Sequence, residues 1–264
     1  MHPLTVVALS TMLWGWLSNS TAPTDRGASS QTSDQRERIS VSDPRPLAKA
    51  AVELELRTHV AITYEDPPYV YDVELKDIAS DARRAQGGRV MIPRGGEFAF
   101  DVDLPGTADV AAVRLALAEV LRQYRSVAGP GGFKVLQDNF GLHIVPTTGK
   151  DRAGMQVTVR SPLDVPLLPP TSQGSVAAFL REFVAALSAT VGTRVEMGTV
   201  PDDVLMRTKV PSTLQAGTAR DMLAEVLAAT HTKLSWRLLY SPEEAASCYV
   251  LNIHPVERGP GNLR

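Results

Sequence analysis

The order helix, strand, strand, helix, strand, strand occurs twice along this chain, once within residues 44–148 and again within 155–256. A helix with one apolar stripe must bury that stripe against another element, so each half predicts a helix-on-sheet body. The expected class is α+β, built as two small tandem α/β modules of about two helices on short strands. Units of about 100 residues can fold alone. A single fused sheet is the alternative, and element order favours two units without excluding it.

In the first half, Pro46 suits a first helical turn, and PLAKAAVELELRTH sets Leu47, Ala50, Ala51 and Leu54 on one stripe, with Glu53 and Arg57 paired outside. VAITYED is rich in β-branched and aromatic residues and reads as a strand, which Pro67-Pro68 terminates. Residues 72–96 predict a loop with a short strand at 89–92. FAFDVDL alternates cleanly, with Phe98, Phe100, Val102 and Leu104 on one face. Thr107 is the expected cap of a helix through about Tyr124, and FKVLQD and GLHIVP form a hairpin through Asn139-Phe140-Gly141.

A Pro- and Gly-rich connector, 147–173, holds one strand candidate, MQVTVR. Beyond it Ser175 starts the most periodic helix, with Val176, Phe179, Leu180, Phe183, Val184, Leu187 and Val191 on one face. TRVEMG and LMRTKVP predict strands. Thr218 and Asp221 form a carboxylate variant of the capping box ahead of Met222, Leu223, Val226 and Leu227. KLSWRLLY and SCYVLNIHP close the series as two strands.

Residues 4–17 (LTVVALSTMLWGWL) are apolar or small and uncharged, too short to span a bilayer, and small residues follow them. That pattern predicts a signal peptide over 1–22 and a periplasmic or secreted protein, touching the membrane only through this segment if it stays uncleaved. The Ser/Thr-rich residues 23–43 lack large apolar groups and predict a flexible linker, with Ile39 and Val41 as possible contacts to the fold.

Composition narrows function by exclusion. A formal net charge of −2 offers no basic footprint for nucleic acid. One cysteine, Cys248, rules out an internal disulfide and any CxxC metal or redox motif, and its strand-like setting predicts burial. His59, His143, His231 and His254 lack zinc-site spacing; His59 and His231 sit where helix C-termini favour a cation. No GxSxG, GxxxxGK[ST] or GxGxxG occurs. No cofactor, metal or catalytic residue is assigned.

The pieces FLREFVAALSATVGTRVEMG, TLQAGTARDMLAEVLAATHTKLSWRLL and CYVLNIHP resemble the short N-terminal domain of secretins and TonB-dependent receptors, mainly over residues 157–255. The resemblance implies a periplasmic, protein-contacting module and supplies no catalytic residues. No downstream secretin or outer-membrane barrel accompanies it.

The most distinctive polar stretch is 64–71. Tyr64, Glu65, Asp66, Tyr69 and Tyr71 are candidate surface-binding residues on a proline-stiffened loop. Neighbours on a strand point to opposite faces, so Glu65 and Asp66 do not form a glycosidase pair by themselves. The expectation is a non-catalytic interaction or assembly module of the cell envelope with an envelope protein as partner. The alternative is an envelope hydrolase or small-ligand binder using the 64–71 loop.

Overall fold

Regular structure begins inside the segment expected to be linker. The computed structural model describes residues 36–104, 109–127, 131–170, 174–242 and 247–257. The strand β1 (Arg36–Asp43) buries Ile39 and Val41, while its intervening polar side chains stay outside. Two inward residues and a full antiparallel ladder offset the ordering cost that composition alone predicts would win. The predicted signal peptide, 1–22, and the linker up to residue 35 lie outside the described residues.

The first half continues with α1 (Pro46–Thr58), β2 (Ile62–Glu65), β3 (Leu75–Asp77), α2 (Asp81–Ala85), β4 (Met91–Pro93), β5 (Gly96–Asp103), α3 (Val110–Ser126), β6 (Gly132–Gln137), β7 (Leu142–Lys150) and β8 (Gln156–Thr158). The second supplies β9 (Pro166–Leu167), α4 (Val176–Val191), β10 (Arg194–Met197), α5 (Asp202–Arg207), β11 (Gly217–Thr218), α6 (Ala219–Ala228), β12 (Leu234–Ser241) and β13 (Cys248–Pro255).

The mixed α+β class is as expected, and each half has its own apolar cluster. The halves nevertheless share one sheet. Its order is β10-β13-β12-β2-β7-β6, with β8 also on β7, and the parallel pairing of β12 with β2 joins them. Register then decides which face each residue takes. Arg237 lies opposite Tyr64 and Leu238 opposite Glu65, so Arg237, Leu239, Ile62 and Tyr64 share one face. Thr63, Glu65, Trp236 and Leu238 share the other.

The first face is covered by α1 and α3, with the β1-β5 ribbon driving Phe98, Phe100 and Val102 into the same cluster. The second is covered by α4 and α6, whose Phe179, Phe183, Leu223 and Leu227 pack on Trp236 and Leu238. Burying each such side chain contributes roughly 1.5–3 kcal/mol. The two predicted bodies are thus two helical layers on opposite sides of one sheet.

Local signals account for most helix ends. Ser175 caps α4 by accepting from the Ala178 N–H, and Thr218 with Asp221 makes the reciprocal box at α6. His59 closes α1 in the left-handed conformation (φ 55°), its N–H donating to the Glu55 carbonyl. Two expectations change. Thr107 lies outside the described residues, and Asp109 caps α3, accepting from the Ala112 N–H at 2.7 Å. Residues 205–207 of the predicted strand LMRTKVP belong to α5, where only Leu205 is buried. Three apolar residues interrupted by charges satisfy a one-turn helix as readily as a strand.

Candidate functional site

The 64–71 segment is not a surface rim. Tyr64 and Tyr69 are buried, and Glu65 and Asp66 are 0% exposed. The reason is positional: β2 lies third from the β6 edge and is covered on both faces, so both acids go inward. The strand does send them to opposite sides. Glu65 accepts a two-pronged contact from Arg220 of α6, at 2.9 and 2.8 Å, and Arg220 also reaches Asp164. Asp66 is met by Arg45, by the Tyr240 N–H at 2.9 Å and by the Tyr69 hydroxyl at 3.3 Å. Burial pushes the hydroxyls of Tyr64 and Tyr69 well above the ordinary tyrosine range. Tyr71 alone stays half-exposed, its ring 5.5 Å beneath the Lys150 ammonium, which pairs with Glu74 at 2.8 Å.

A third buried pair joins the same two strands from the other side. Arg237 of β12 donates to Glu55 of α1 and, at 2.7 Å, to the Ile62 carbonyl. Burial pushes the Glu55 carboxylate up, and Arg237, His254, Ser235 and the Ile62 N–H together pull it below the usual range. All three clusters bridge residues of the first half to residues of the second. Uncompensated buried charges cost several kcal/mol, so each acid needs its arginine and each arginine its acid.

One further group sets a Thr and a His in the core beside an Asp, and among the three a hydrogen bond joins only Thr63 and His143. His143 Nδ1 lies 2.9 Å from Thr63 Oγ1, and its Nε2 lies 3.0 Å from Asp138 Oδ2. Burial raises Asp138 and His143 lowers it, leaving the carboxyl below its usual range. Thr63 is fully buried and His143 1% exposed, sandwiched on Trp236 at 5.1 Å, so no substrate atom reaches the hydroxyl. The trio carries no local signature, because Thr63 lies 80 positions from His143.

The two borders of the large sheet differ. At β10, Ser188 of α4, whose own proton goes to the Val184 carbonyl at 2.6 Å, accepts the outward Val195 N–H at 2.8 Å and so closes that donor in mid-strand. At β6, the alternation of backbone groups follows from two bonds. The Leu142 N–H donates to the Ala61 carbonyl beside β2, and the Asp138 N–H donates to the Gly141 carbonyl across the hairpin. Residues 143 and 145 of β7 therefore serve β6, through their partners Leu136 and Lys134. Phe133, Val135 and Gln137 turn their backbone groups outward. Arg125 of α3 takes the Phe133 carbonyl at 2.8 Å, and among the described residues the N–H and C=O of Val135 have no partner.

Along this open edge runs a groove of about 280 Å³ between α3 and β6, bordered by Arg114, Arg122, Arg125 and Lys134 over Leu121 and Phe133. Arg122 is paired with Glu119, whose carboxylate it and Gln123 hold down to about 2. Arg114 and Lys134 have no carboxylate partner among the described residues. The groove was not legible in sequence, since its cations come from two elements and look like ordinary solvated residues.

Among the described residues no cluster of His, Cys, Asp or Glu could hold a metal ion, and Cys248 is free and buried. No family model, curated protein or solved structure matches the chain.

Proposed function

We propose that this protein is an exported, non-catalytic interaction or assembly module of the cell envelope that offers the β6 edge of its sheet to a partner polypeptide. The observation that carries this reading is the contrast between the two sheet borders: the outward Val195 N–H is taken by Ser188, whereas the Val135 N–H and C=O face outward without a ladder partner. An unpaired strand edge is a template for β-strand addition. The engagement of Glu65 and Asp66 by Arg220 and Arg45 supports a structural rather than a catalytic role for the 64–71 segment. The apolar residues 4–17 support export, and the resemblance of residues 157–255 to the secretin-type N-terminal domain supports a periplasmic, protein-contacting role.

Expression of the full chain in a double-membrane bacterium, followed by fractionation, tests the setting. The chain is expected outside the cytoplasm, in the periplasm or medium; retention in the cytoplasm contradicts the reading. A hydrolytic activity abolished by Glu65→Gln in a variant that still folds would contradict the non-catalytic part.

A further inference from the structure

We infer that the occupant of the β6 edge is an acidic, extended polypeptide segment of another protein, added as a strand beside β6; this rests on the reading above and names its partner class. Main-chain pairing alone accepts any extended chain, so selectivity must come from the side chains that flank the edge. Here those are cationic. Arg114, Arg122 and Arg125 line the α3 wall, Lys134 projects from β6 itself, and the carboxylate on that wall, Glu119, is already taken by Arg122. An incoming strand meets the free N–H and C=O of Val135 with its backbone, and its carboxylates, at alternate positions on the α3 side, meet Arg114 and Arg125; Lys134, on the opposite face of β6 from Phe133 and Val135, adds to the positive field of the edge.

Charge also excludes the simplest competitor. A second copy of this chain pairing β6 to β6 would bring the Lys134 and Arg125 cations of both copies to one seam, and like charges brought close are destabilising. An exposed lysine on an edge strand is a known guard against indiscriminate pairing. The same guard becomes an attraction when the arriving strand is acidic.

The test uses the full chain and two synthetic peptides of about eight residues, one alternating valine with glutamate and the other valine with lysine. Binding is followed by calorimetry and by amide hydrogen exchange. The glutamate peptide is expected to bind, to weaken steeply with salt, and to slow exchange at Val135 and Gln137; the lysine peptide is expected not to bind. The double variant Arg114→Glu with Lys134→Glu should weaken binding about tenfold or more at low salt. Val135→Pro removes an outward N–H that no ladder bond uses, and should abolish binding while leaving the circular dichroism spectrum in place. Equal binding of both peptides, undiminished binding to the double variant, or no binding of the glutamate peptide would overturn the inference. None of those results touches export, so a chain that fails here and still reaches the periplasm leaves the broader reading standing.

Discussion

Arg220 of α6 clasps Glu65 of β2 with both prongs of its guanidinium, 155 residues away in sequence and on the far side of the junction between the two halves. The acid is fully buried, so it stays charged in the core only while that clasp exists. Replacing Arg220 with methionine strands Glu65 and should cost about 3–5 kcal/mol in urea denaturation. Adding Glu65→Gln to that variant should recover part of the loss. A cost below about 1 kcal/mol for the single change would show that Glu65 is not held as described.

The shared sheet makes the halves interdependent. Splitting β2 from β12 would open strand edges in mid-sheet and uncover Trp236, which is fully buried against Phe140 and His143. A chain beginning at Asp34 carries Trp236 as its only tryptophan. Its fluorescence and the far-ultraviolet circular dichroism should therefore report one coincident unfolding transition. Two separated transitions would restore the picture of independent modules.

Glu55 predicts how stability responds to acid. Its folded-state pKa is depressed, because Arg237 and its other hydrogen-bond partners outweigh the effect of burial. Folding therefore favours the ionised form. The contribution is complete above the unfolded value of about 4.3 and is lost as pH falls through the lower folded value. Glu55→Gln should lower stability at neutral pH and flatten the decline below about pH 4.3. A variant whose stability falls as steeply there as that of the unaltered protein would remove Glu55 from the account.

What was legible in the sequence was local. The α4 stripe, the Thr218–Asp221 box, the Phe98–Phe100–Val102 alternation and the burial of Cys248 all follow from spacing within a few residues. What was hidden depends on distant partners. Tyr64-Glu65-Asp66 reads as a polar strand end until the parallel pairing of Arg237 with Tyr64 and Leu238 with Glu65 places it mid-sheet. Nothing in RPLAKA or TARDML says that Arg45 and Arg220 face inward to meet acids. The β1 strand was masked for a different reason: RERISVSD offers only Ile39 and Val41 to the core, and its polar majority outweighs them in any compositional reading.

Ser188 gives a direct comparison with the open edge. Its hydroxyl donates to the Val184 carbonyl at 2.6 Å and accepts the Val195 N–H, so Ser188→Ala leaves that N–H without a partner. The change should cost about 1–3 kcal/mol and speed amide exchange at Val195. An unchanged exchange rate there would mean that the hydroxyl does not close the β10 edge.

The most direct examination of the open border is residue-resolved amide hydrogen exchange along β6 in the unliganded protein. Lys134 and Leu136, bonded to β7, should exchange slowly, while Val135 and Gln137 between them exchange fast. Uniform protection across residues 134–137 would mean that the edge is already covered, and the proposal of a partner strand at β6 would fall.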